Sequence, residues 1–141
     1  MTRRASGVVV SCVLAAGALA GCTSVRSDLG TSDSSCYIAL PVAARAVGPH
    51  GRLIGVHLVT LGALRRRAPE IFDALTGQPA SDQRVCLVAF AGSFTSGSVS
   101  KPLGLPSGTT AVVVSKIPSN ALIGTVIIHG APLQFGHPHI G

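Results

Sequence analysis

Three short β-branched runs limit what this chain can become. Arg84 to Ala91 is apolar from Val85 onward, and Ala111-Val112-Val113-Val114 and Val126-Ile127-Ile128 are nearly all Val and Ile. Runs this short read as buried strands, because branched Cβ atoms pack well on a pleated surface and crowd a helix. The second and third runs flank Ile117-Pro118-Ser119-Asn120. Proline presets φ there, and Ser and Asn bond their own backbone, so the segment turns the chain. Thr109 to Lys116 and Ala121 to His129 are therefore expected to form a β-hairpin, with Arg84 to Ala91 a buried central strand.

The remaining elements follow from weaker patterns. Ile38, Val42 and Ala46 recur at helical spacing within Cys36 to Val47, and Gly48-Pro49 ends that helix. Arg52 to Thr60 reads as a strand, because β-branched residues are dense and Gly55 disfavours a helix. A helix from Leu53 to Arg67 is its competitor. Arg67 to Leu75 reads as a short helix with Pro69 and Glu70 in its first turn and Gly77 past its end. Gly92 to Gly108, rich in Gly, Ser and Pro, reads as a long loop with a short edge strand around Phe94. A further edge strand is expected at Leu133 to Phe135. The sum is a small α+β domain: an antiparallel sheet of three to five strands with one or two helices packed on one face.

The first 35 residues are of another kind. Arg3 and Arg4 precede an apolar stretch from Val8 to Ala20, which leads through small residues to Cys22. This is the layout of a secretory signal, and the stretch is shorter than the ~20 residues that a permanent membrane helix needs. Leu19-Ala20-Gly21-Cys22 resembles the lipobox of bacterial lipoproteins at all four positions. The resemblance covers residues 1–22 alone. It implies cleavage between Gly21 and Cys22 and a diacylglycerol group on the Cys22 thiol, and a further acyl chain on the new amino terminus is common in such proteins. Each buried methylene contributes ~0.8 kcal/mol, so two or three chains give stable anchoring where one does not. Residues 1–21 are thus expected to be a signal peptide and 22–35 a lipidated cysteine with a flexible Ser- and Thr-rich tether. Residues 36–141 form the domain, lipid-anchored to the cell membrane on its extracytoplasmic side.

Export gives the remaining cysteines a meaning. Cys12 lies in the signal and Cys22 takes the lipid, which leaves Cys36 and Cys86 as an even pair. In an oxidising compartment a Cys36–Cys86 disulfide is the natural reading. Closing a 50-residue separation stabilises a fold by ~4 kcal/mol in the chain-entropy model. No CxxC occurs, so a thioredoxin-like motif or a structural zinc site is not indicated.

Charge narrows the partners. Without Arg3 and Arg4, nine basic side chains face five acidic ones, a net of +4. This modest excess suits an anionic lipid or envelope polymer. Nucleic-acid binding would call for a basic stripe with stacking aromatics, and the chain has four Phe, one Tyr and no Trp. Arg65-Arg66-Arg67 is the densest basic cluster, placed by this reading at the start of a helix, where cations are disfavoured.

Catalysis finds little support. No phosphate loop, dinucleotide fingerprint or nucleophile elbow is present. The only carboxylates after the signal are Asp28, Asp33, Glu70, Asp73 and Asp82, and no base–nucleophile–acid set stands out among them. The expectation is a non-enzymatic binding module that meets the membrane through its anchor, or an envelope protein or polymer. Two alternatives stay open. His137-Pro138-His139 puts two imidazoles on one side of an extended segment, and His129 ends the preceding strand, a set suited to zinc or copper. Solvated surface histidines are the plainer reading. The apolar sheet and the loop Gly92 to Gly108 would also suit a carrier of a small hydrophobic ligand.

Overall fold

The computed structural model describes residues 34–75, 77 and 80–130. Among these residues there are five strands: β1 (Arg52–Thr60), β2 (Arg84–Thr95), β3 (Pro102–Gly104), β4 (Ser107–Lys116) and β5 (Leu122–Ile128). They make one sheet in the order β1-β2-β4-β5-β3. The first four neighbours pair antiparallel, and the three-residue β3 runs parallel to β5. Three helices accompany the sheet: α1 (Leu40–Val47), α2 (Leu61–Arg67) and α3 (Pro69–Ala74). A 3-10 helix, Ser34–Ala39, leads into α1, and a second, Gly48–His50, follows it. The class is α+β, with five strands.

The sheet has two covered faces, and the reason lies in its central strands. β2 is buried at every position from Val85 to Phe90, and β4 from Thr110 to Ser115. A strand apolar at consecutive positions sends apolar side chains to both sides, so both sides need cover. On one face Val85, Leu87, Val112, Val114 and Val126 pack against Leu61, Leu64, Ala68, Ile71 and Leu75 of the α2–α3 segment. On the other, Val88, Phe90, Val113 and Ile127 pack against Ala43, Ala46 and Val47 of α1. The helices thus divide between the two faces, where an arrangement on one face was expected. The parallel β3 is likewise an addition to the antiparallel sheet.

Two boundaries settle on local chemistry. The chain from Leu53 to Arg67 divides at Thr60, whose backbone is extended and whose Oγ1 accepts a 3.2 Å hydrogen bond from the Ala63 amide. A side-chain cap of this kind starts α2 there and ends the strand. Pro41 and Pro69 each fall in the first turn of their helices, where a missing amide hydrogen costs nothing.

Gly92 to Gly108 holds a strand around Phe94, as expected, but it is the end of an inner strand rather than an edge, and the loop is shorter than expected. β2 continues to Thr95, β4 begins at Ser107, and Phe94 pairs with Gly108 after an irregularity in the ladder. Phe94 is 1% exposed, packed with Phe90 and Val99. The turn between the strands is tied down on two sides. The Ser100 amide donates to the Ala46 carbonyl at 2.8 Å, and the Thr125 amide donates to the Lys101 carbonyl at 2.9 Å. A buried aromatic ring outweighs the turn-rich composition around it. The segment Leu133 to Phe135 lies outside the described residues.

Candidate functional site

Cys36 and Cys86 are joined by a disulfide, with Cα atoms 5.4 Å apart. Cys86 comes from β2, where it pairs with Leu58 of β1 and Ser115 of β4. Both cysteines are fully buried beside Ala39, Val56, Leu58 and Ile117. The bond pins the beginning of the domain to the middle of the sheet.

The 3-10 winding around Cys36 decides which side chains face water. With three residues per turn, positions i and i+3 lie on one side. Cys36 and Ala39 take the inner side, and Tyr37 and Ile38 are left outward at 58% and 61% exposure. Ile38 therefore does not continue the inward stripe with Val42 and Ala46 that an α-helical spacing implied. On α1, Pro41, Ala44 and Arg45 are exposed, and the Arg45 Nε donates to the Pro41 carbonyl at 3.3 Å. Only one of these five exposed side chains is charged. The outer side of a surface helix is ordinarily its polar side. Tyr37 and Ile38 were missed as surface residues because the spacing of Ile38, Val42 and Ala46 fits an α-helix as well. The buried Cys36, read with three residues per turn, was the available signal.

Arg65, Arg66 and Arg67 occupy the last turn of α2, rather than the start of the next helix. There the helix dipole favours cations. The Arg65 guanidinium lies 5.9 Å from the centre of the Phe72 ring on α3, a cation–π contact. This cluster belongs to the sheet face opposite Tyr37 and Ile38.

His129 directly follows β5 and is exposed, and the next amide, of Gly130, donates to Thr109 Oγ1 at 3.0 Å. His50 is exposed in the second 3-10 helix, and His57 is half-buried on β1. Among the described residues no three His, Cys, Asp or Glu side chains gather closely enough to hold a metal ion. Gly21, Cys22, His137 and His139 lie outside the described residues. No family model, curated protein or solved structure matches the chain. Glu70 and Asp73 are exposed on α3 and Asp82 is exposed before β2. Among the described residues no helix is long and apolar enough to cross a membrane.

Proposed function

We propose that this chain is an exported lipoprotein, held by acyl chains on Cys22 at the outer face of the cytoplasmic membrane or in the envelope, and that its domain works by binding rather than catalysis. The supporting observation is the Cys36–Cys86 bond, fully buried at the point where the domain begins. Disulfides form and persist outside the reducing cytosol. Export accounts both for the signal-like residues 1–21 and for the buried disulfide. The lipobox-like residues Leu19 to Cys22 then specify the form of attachment.

The test is Cys22→Ala in a bacterial host that processes lipoproteins. The parent protein is expected in the membrane fraction, with an acylated amino-terminal peptide beginning at Cys22. The variant is expected to lose the acyl mass and the membrane retention together. Membrane retention and acyl labelling that survive the substitution would overturn the proposal.

A further inference from the structure

We infer that the exposed side chains of the 3-10 helix and α1, Tyr37, Ile38, Pro41, Ala44 and Arg45, rest on the anionic headgroup layer of the membrane. The inference rests on the Cys22 anchor proposed above. Fourteen positions separate Cys22 from Cys36. A flexible chain of fourteen residues reaches ~20 Å, which is enough to keep the first turn of the domain at the headgroups.

The exposed side chains suit that neighbour. Tyr37 has an apolar ring and a polar tip, the pairing that settles at membrane interfaces. Ile38 offers an apolar side chain at 61% exposure, and Arg45 an exposed cation on the helix that follows directly. Residues 36–141 carry eight Lys and Arg against three Asp and Glu, a net positive charge that draws the domain as a whole toward anionic lipid, and of these Arg45 belongs to the docking residues themselves. Five side chains fall well short of the ~20–30 residues per side of a stable protein interface. A surface already held at the bilayer by an anchor needs far less, because docking has become intramolecular. Arg65-Arg66-Arg67, on the opposite sheet face, is not part of this contact.

The chain has no Trp, so one introduced Trp reports its own surroundings. The experiment uses full-length Tyr37→Trp and Leu105→Trp proteins, purified from membranes with their acyl chains. Each is reconstituted into phosphatidylcholine vesicles with and without phosphatidylglycerol. Leu105, exposed at 41% beside the β3–β4 turn, supplies the control position. Flotation with vesicles and the acyl mass on Cys22 are measured first. The expected result is blue-shifted emission and quenching by brominated lipid for Tyr37→Trp in anionic vesicles, with neither for Leu105→Trp. Adding Arg45→Ser to Tyr37→Trp should lower the docked-to-undocked ratio about fivefold, since one basic residue near an anionic surface contributes ~1 kcal/mol. Water-like, unquenched Tyr37→Trp emission in a protein that floats and carries acyl chains overturns the docking inference and leaves the anchor standing. A concentration-dependent blue shift without bromolipid quenching means a second copy covers the face, and also overturns it. Absence of acyl mass and flotation overturns the anchor and this inference together.

Discussion

Gly108 lies against the carbonyl oxygen of Ile128, with no room for a Cβ between them. Gly108 is buried at the start of β4, opposite Phe94 of β2. The close approach joins three strands where the turn returns to the sheet. Overpacking a tight site costs roughly 1–3 kcal/mol, and backbone on the other side cannot swing away as a side chain would. Gly108→Ala is therefore expected to lower unfolding stability by roughly 1–3 kcal/mol, read as a lower urea midpoint with an unchanged slope.

Phe94 supplies the matching test from the other strand. Truncating a buried Phe costs ~3–5 kcal/mol, whereas a change in a solvated loop usually costs within ~0.5 kcal/mol. With Phe94 1% exposed, Phe94→Ala should show the larger loss in a denaturant titration. A loss within the loop range would mean that residues 92–95 do not belong to the sheet.

These two residues show where sequence reading ends. The strands with dense β-branching were readable: Arg52–Thr60 and the hairpin of β4 and β5 follow their Val and Ile runs closely. Strand β2 was readable as far as Ala91. Beyond it, Gly92, Ser93, Ser96 and Gly97 carry a turn signal that is local, while Phe94 answers to a distant core that no local window contains. The two-faced cover of the sheet was implicit in the unbroken run Val85 to Phe90, yet which helix takes which face depends on tertiary packing. At the candidate surface, Cys36–Cys86 followed from cysteine counting. The outward turn of Tyr37 and Ile38 did not, because four-residue and three-residue spacings differ by too little over one turn.

The disulfide closes the segment that holds α1, β1, α2 and α3. Replacing both cysteines, as Cys36→Ala with Cys86→Ala, should lower stability by ~4 kcal/mol, the chain-entropy value for a loop of this length. Denaturant unfolding of the oxidised parent, the reduced parent and the double variant checks it. The reduced parent should fall close to the variant. A variant as stable as the oxidised parent would show that packing by Ala39, Leu58 and Ile117 suffices alone.

Thr60 stands at the junction of strand and helix, and its Oγ1 accepts from the Ala63 amide. Thr60→Ala leaves that amide without its cap and should cost ~1 kcal/mol, and Thr60→Ser should recover most of it. Thermal unfolding of the three proteins distinguishes a cap from mere packing. If Ser and Ala behave alike, the Thr60 methyl rather than its oxygen accounts for the loss.

Thr125 places a hydroxyl where the surroundings are apolar. It is fully buried on β5, opposite Val113 and two residues before Ile127, on the sheet face that α1 covers. Among the described residues its Oγ1 has no hydrogen-bond partner. A buried hydroxyl left unpaired carries a desolvation penalty of ~1–3 kcal/mol, while its replacement by a group of the same shape removes that penalty. Val matches the outline of Thr and exchanges the hydroxyl for a methyl. Thr125→Val should therefore raise unfolding stability by ~1 kcal/mol, read as a higher denaturant midpoint at constant slope. Ser115, buried across the ladder from Cys86, likewise has an oxygen without a partner among the described residues, so Ser115→Ala tests whether the effect tracks the lost hydroxyl or the added methyl. A loss of stability in Thr125→Val would mean that an ordered water satisfies the hydroxyl, since a bridged buried water is costly to remove.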